Sequence, residues 1–136
     1  VSDMARCIIK YFLPTLGDAE GANDDGHAEL ELQRAVAEAM IQRLAEMRHA
    51  MDISPFVASR SLVGSSVLFI VEADGPLSTA YLIDFAKTST VPNGIVVDHK
   101  TPWRLGNHED GLFIGVDNLS KTWQMVLQIL STTKCT

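Results

Sequence analysis

Residues 82–88 read Leu82-Ile83-Asp84-Phe85-Ala86-Lys87-Thr88, a hydrophobic run that ends in an acid. At the end of a strand the apolar neighbours are buried, and the Asp84 carboxylate is pushed into the loop mouth, where an oxygen ligand suits a phosphate-bound Mg²⁺. An Asp in this place serves equally well as a cap or turn residue, so the surroundings must decide. Upstream, Ser61 to Val71 is a β-branched and aromatic run, Asp74-Gly75-Pro76 is a turn signal, and Thr79 to Phe85 is a second such run. The two runs predict an antiparallel hairpin with Asp84 near the end of its second strand.

Helices are expected on either side of the hairpin. From Ala28 to Met51 the chain avoids Gly and Pro and places Ala37, Met40, Ile41, Leu44, Met47 and Met51 on one stripe. These methionines read as core filler, and His49 as a surface residue near the helix end. Ser54-Pro55 has the form of an N-cap followed by proline, which predicts a short helical turn before Arg60. At the amino end, Asp3 to Leu13 spaces Met4, Cys7, Ile8, Tyr11 and Phe12 by threes and fours, which predicts an amphipathic helix stopped by Pro14. Residues 14–27 read as an exposed acidic loop; Asp24, Asp25 and His27 lack the calcium-loop pattern of alternating acids closed by a late Glu. After the hairpin, residues 86–111 carry Pro92, Asn93-Gly94, Pro102, Gly106 and Gly111, which predicts an ordered loop with only Ile95 to Val97 as a possible short strand. Leu112, Val116, Leu119, Trp123, Val126, Leu127 and Leu130 then fall at helical spacing, with Asp110 or Asp117 as candidate caps. No internal repeat or low-complexity tract interrupts this order.

The 136 residues, 46% hydrophobic and 21% charged, suffice for one globular core. Eleven basic against seventeen acidic residues give a net charge of −6, which argues against a nucleic-acid or anionic-lipid partner while leaving room for a local basic pocket. The longest apolar runs, such as Val67 to Val71, fall far short of the roughly 18 to 20 residues of a membrane span, and no basic-then-apolar leader opens the chain. Cys7 and Cys135 predict free thiols in a reduced, cytoplasmic setting, with a nuclear one compatible. The start at Val1 and the stop at Thr136 suggest a segment of something longer. His27, His49, His99 and His108 form no zinc-type grouping, and neither a phosphate-binding P-loop nor a Gly-x-Ser-x-Gly elbow occurs.

Protein kinases run a hairpin into Asp-Phe-Gly, whose Asp holds Mg²⁺ against the nucleotide phosphates; the triplet here is Asp84-Phe85-Ala86. Five blocks follow one another in order: Gly64-Ser65-Ser66-Val67-Leu68-Phe69, Ile83-Asp84-Phe85-Ala86-Lys87-Thr88, Pro102-Trp103, Gly106-Asn107-His108-Glu109-Asp110-Gly111 and Gly115-Val116-Asp117-Asn118-Leu119. Together, across residues 28–130, they resemble the carboxyl-terminal half of the inositol polyphosphate kinase family, with its Ser-Ser-Leu-Leu and Ile-Asp-Phe motifs. The third and fourth blocks resemble its inositol 1,4,5-trisphosphate 3-kinase branch.

The resemblance implies an α+β fold: residues 1–136 as one segment of the C-terminal lobe, SAICAR synthase-like and protein-kinase-related, with helices packed on an antiparallel hairpin. It implies transfer of the ATP γ-phosphate to the 3-hydroxyl of inositol 1,4,5-trisphosphate, with Mg²⁺, and a missing N-terminal lobe as partner. A calcium sensor could regulate the enzyme only through regions absent here. By the same resemblance Asp84 coordinates the metal of Mg-ATP, Ser66 and Ser65 lie beside the phosphates, Ile83 lines the adenine pocket and Lys87 assists phosphate charge. Structural roles stand beside these: Ser65 and Ser66 as hydrogen-bonding residues at a strand start, Ile83 as core, and Lys87 as a solvated side chain. Trp103 is expected to anchor the loop by burial, and Glu109 and Asp110 to cap the last helix rather than act as a base. Val67, Ala86 and His108 depart from the family's Leu, Gly and Arg. The family's Pro-x-x-x-Asp-x-Lys-x-Gly signature has no match, so no residue of this segment is assigned as catalytic and the segment alone is expected to be inactive. The competing expectation is a non-catalytic kinase-like interaction module, which an exposed Met40, Ile41, Leu44 and Met47 stripe would favour.

Overall fold

The computed structural model of the chain describes residues 1–15, 25–73 and 77–133. In chain order these form α1 (Ser2–Tyr11), α2 (Asp25–Asp52), α3 (Pro55–Ala58), β1 (Arg60–Leu62), β2 (Ser66–Val71), β3 (Ser78–Ile83), a 3₁₀ turn (Phe85–Lys87), β4 (Thr88–Thr90) and α4 (Leu112–Thr132). The result is a mixed α+β arrangement of helices and small antiparallel pairs. Most of the expected acidic loop, the Asp74-Gly75-Pro76 turn and Cys135 lie outside the described residues; His27, expected in that loop, already belongs to α2.

The two long helices make the core. Val36, Ala37, Met40 and Leu44 of α2 are fully buried, with Met47 and Met51 nearly so, and they pack with Val116, Trp123, Val126 and Leu130 of α4. Among the described residues the methionine stripe is therefore core and not an open face. Arg48 ties the helices electrostatically, with Nη1 2.5 Å from Asp52, Nε 3.1 Å from Asp117 and the guanidinium 3.8 Å from the centre of the Phe113 ring. Asp117 thus serves as a mid-helix ion partner, not a cap. Ser54 does cap α3, its Oγ accepting from the Val57 N–H at 3.3 Å, with Pro55 at the first helical position.

The amino-terminal helix packs inward only part of the stripe its spacing predicts, Ile8 and the following Phe12, and adds Ala5 and Ile9. Ala5 is fully buried and Ile8 and Ile9 are half-buried, whereas Met4, Cys7 and Tyr11 face outward. What anchors the segment is Phe12, whose ring meets Phe69 and Trp123 edge-on at 6.5 and 6.2 Å, while those two meet each other at 5.5 Å.

The hairpin forms, and it is interrupted. β2 pairs with β3 from Ser66↔Ile83 to Val71↔Ser78, and β1 pairs with β4 from Arg60↔Thr90 to Leu62↔Thr88. The two ladders belong to one long antiparallel ribbon in which residues 63–65 stand opposite residues 84–87, three against four. One extra residue on the second strand shifts the register by one, as a bulge does. Val67, Phe69, Ala80 and Leu82 face the helices, while Ser66, Leu68, Tyr81 and Ile83 share the outer face. Thr88–Thr90, expected within the loop, is the fourth strand; Ile95 to Val97 is not a strand, although Val97 is buried.

Candidate functional site

The five residues singled out in the sequence meet at the ribbon's interruption. Asp84 leaves the Ser66↔Ile83 rung in the left-handed region, φ 67° and ψ 57°, which costs most side chains 1–2 kcal/mol and which Asp tolerates better than most. Its carboxylate is exposed and has no hydrogen bond or ion pair among the described residues. Opposite it, Gly64 also turns left-handed, φ 76°, and a Cβ there would lie 3.6 Å from Cδ of Lys87, so the lysine stem crosses the glycine. Ser65 is committed locally: its N–H and its hydroxyl both donate to the Leu62 carbonyl, at 3.4 and 3.1 Å. Ser66 is exposed and its hydroxyl has no partner among the described residues. Ile83 is half-buried on the outer face, outside the main core. Ser65 and Ser66 also line a hollow of about 190 Å³ against Gly111, Leu112 and Gly115 at the start of α4.

Behind this break lies a buried His99–Asp110 contact that the sequence does not reveal. The Asp110 side chain, 1% exposed, accepts from the Leu62 N–H at 2.7 Å, from the Leu112 N–H at 2.9 Å and from His99 Nδ1 at 2.9 Å. His99, 2% exposed and itself left-handed at φ 59°, has Nε2 3.1 Å from the Val57 carbonyl. Both ring nitrogens face oxygen atoms, so the ring is held from two sides. The His99 carbonyl accepts from the Phe113 N–H at 3.1 Å. One carboxylate thus joins the end of β1, the 91–111 loop and the first turn of α4. No spacing pattern marks His99, because its partners lie 11 and 42 residues away.

The loop is ordered by its own side chains. Asp98 accepts from the N–H groups of Thr101 and Lys100, both at 2.7 Å, and from the Thr101 hydroxyl at 2.9 Å. The Thr101 N–H first, then the Lys100 N–H and the Thr101 hydroxyl, hold its carboxyl below the ordinary range. Asn107 accepts from Arg104 and Glu109 N–H groups and donates to the Pro102 carbonyl. Two expectations are corrected here. The N-cap of α4 is Gly111, with no side-chain cap; Asp110, one residue earlier, accepts from the N–H of Leu112, the first helical residue, and buried Glu109 accepts from the Asp98 N–H at 2.9 Å. Trp103 is 65% exposed and anchors nothing by burial; the loop is held by polar contacts, which need no buried aromatic. Among the described residues no three His, Cys, Asp or Glu side chains cluster as a metal cage.

The model for the family "Inositol polyphosphate kinase" matches residues 21–124, well over half the chain. The chain belongs to the inositol polyphosphate kinase family. It is similar to the inositol-trisphosphate 3-kinase homolog of Caenorhabditis elegans, 45% identical over 86 residues, or 63% of this chain and 17% of that protein. Inositol-trisphosphate 3-kinase A of Rattus norvegicus is 40% identical over 79 residues (58% and 17%), and inositol-trisphosphate 3-kinase C of Homo sapiens is 43% identical over 76 residues (56% and 11%). The chain therefore spans less than a fifth of the length of these relatives. The match contains the ribbon break and the His99–Asp110 pair; α1 precedes it. No helix among the described residues is long and apolar enough to cross a membrane.

Proposed function

We propose that this inositol polyphosphate kinase segment is part of the C-terminal catalytic lobe of an inositol 1,4,5-trisphosphate 3-kinase, and that the ribbon break is where it meets Mg-ATP. The observation that carries this reading is the Asp84 carboxylate: without a partner among the described residues, exposed and held in a left-handed backbone conformation, which is where functional strain tends to collect. A single free carboxylate fits Mg²⁺, which binds through one or two carboxylates with substrate phosphates and waters rather than in an all-protein cage. Asp84 would hold that ion; when bound, Mg²⁺ neutralises charge on the phosphate oxygens.

The other residues divide by their existing commitments. Ser66, whose hydroxyl has no partner among the described residues, is the better donor to a phosphate oxygen; Ser65 is occupied by the Leu62 carbonyl. Lys87 places an ammonium one turn beyond Asp84 and serves as a charge partner for the phosphates. Ile83 and Leu68, on the outer face, offer the adenine an apolar surface. Acceptor binding and the groups of the Asp-x-Lys signature are assigned to the sequence upstream, because phosphoryl transfer needs several positioned charges acting together. Burial of the Met40–Met47 stripe against α4 removes the observation that would favour an interaction module.

A phosphotransfer assay with Mg-ATP and inositol 1,4,5-trisphosphate tests this, run on the 136-residue chain and on the polypeptide that includes its upstream sequence. Only the longer polypeptide is expected to make the tetrakisphosphate, and Asp84→Asn in it should lower turnover by about 10²- to 10³-fold. The substitution should weaken Mg-ATP binding more than binding of metal-free ATP. Turnover by neither polypeptide would favour the module, and full activity of Asp84→Asn would remove Asp84 from the site.

A further inference from the structure

We propose that Asp110, steadied by His99, is a positioning residue for the Asp84 site, an inference that rests on the Mg-ATP reading above. The connection is a short run of direct contacts. Asp110 holds the N–H of Leu62, the last residue of β1 before the ribbon breaks, at 2.7 Å. The carbonyl of that same Leu62 receives the Ser65 N–H and hydroxyl. Ser66 then opens β2 opposite Ile83, and Asp84 is the next residue along; on the other side Leu62 itself faces Thr88, just past Lys87. The four residues from Asp84 to Lys87 are thereby suspended between two rungs, one of which is fixed by Asp110. Since Asp110 also holds the Leu112 N–H at the start of α4 and lies 2.9 Å from a ring held at the Val57 carbonyl, the rung is held against the core and cannot slide with the ribbon.

A carboxylate used three times over, 1% exposed, is more than helix capping requires, since one of its three partners would suffice for that. Ser, Asn and Thr are ordinary caps; a carboxylate brings two acceptor oxygens, enough to meet two N–H groups and a ring nitrogen together. Removing it should therefore displace the metal-binding carboxylate without touching it. Misplacement on the order of 1 Å at a reacting centre costs about 10²-fold.

The test compares Asp110→Asn, His99→Asn, Asp84→Asn and the Asp110→Asn/Asp84→Asn double variant in the longer polypeptide. His99→Asn is included because Asn tolerates the left-handed conformation, so it reports even where Asp110→Asn does not fold. Expected results are a kcat about 10- to 100-fold lower for Asp110→Asn, a raised KM for Mg-ATP with the KM for inositol 1,4,5-trisphosphate unchanged, and a double variant no worse than Asp84→Asn alone. Amide exchange on the same variants, without nucleotide, should quicken at Leu62, Ser65 and Ser66 while the α2 amides keep their protection. Unchanged kcat in folded Asp110→Asn and His99→Asn, with Asp84→Asn inactive, overturns the positioning role and leaves the metal reading standing. Full activity of Asp84→Asn overturns both. Additive losses, or exchange that quickens throughout the core, make Asp110 a stability residue only and likewise overturn the proposal.

Discussion

Asp84 occupies a conformation that glycine would adopt freely, and it is there with a carboxylate that nothing in the described chain uses. Asp84→Gly should separate the two facts. Relief of the left-handed strain, roughly 1 kcal/mol, is offset in part by the greater chain entropy of glycine, so the urea midpoint should stay level or rise while activity of the longer polypeptide is lost. A marked fall in the midpoint would mean that the carboxylate holds the fold. Asp98 offers a pH test of the loop. Its carboxyl is depressed, chiefly by the Thr101 N–H, so its contribution is present above the unfolded value of about 3.9 and is lost as pH falls through the lower folded value. Carbon-detected titration of Asp98 and exchange of the Thr101 amide should move together in that acid window, and Asp98→Ala should abolish the dependence. At this scale the sequence exposes Asp84, because an acid after an apolar run is visible by itself. His99 and the exposure of Trp103 are invisible, because both depend on which distant backbone groups the loop reaches.

Among the elements, α2 and α4 were legible because 3.6-residue spacing over many turns leaves little else for an apolar stripe to do. The stripe of α1 is legible only at Ile8 and Phe12, since over 10 residues two stripes compete and neighbouring rings choose between them. Alternation showed two strand-forming runs, but not that three residues would face four, because register is a property of the pair. Deleting Ala86 equalises the two sides at three. Cross-strand contacts should then continue from Leu62 through Gly64 and Phe85, the left-handed turn at Asp84 should vanish, and nucleotide binding should be lost with the helices intact. Nuclear Overhauser contacts between residues 64 and 85 report this; their absence in a folded deletion variant would show that the break has another cause.

For the molecule as a whole, Trp123 of α4 is the keystone of one core, fully buried and in contact with Phe12 just past α1 and Phe69 of β2. Trp123→Ala should cost about 3–5 kcal/mol, a large part of the 5–15 kcal/mol typical of a domain, and urea unfolding should become broad or vanish; a loss near 1 kcal/mol would mean that the ring cluster is dispensable. A single core was readable from length and composition, and the family from five ordered blocks. Which surfaces stay open was not: Leu68, Ile70 and Tyr81 on the ribbon and Leu105 on the loop are 44%, 47%, 48% and 93% exposed, and no one-dimensional pattern distinguishes them from core. The register step in the ribbon has one more consequence. It behaves like a dislocation in a crystal, a mismatch that can move only if every rung it passes is rebuilt. Carrying it toward the tip past the Leu68↔Tyr81 rung would turn Ile83 inward, opposite Val67, and Leu82 outward, opposite Leu68, and one rung further would disturb Ala80, which is sealed against α2 with its carbonyl bonded to Arg43. The defect is pinned from that side by packing and from the other by Asp110, so changes of chain length between β2 and β3 should leave it where it is, and a single residue gained or lost beside it should not.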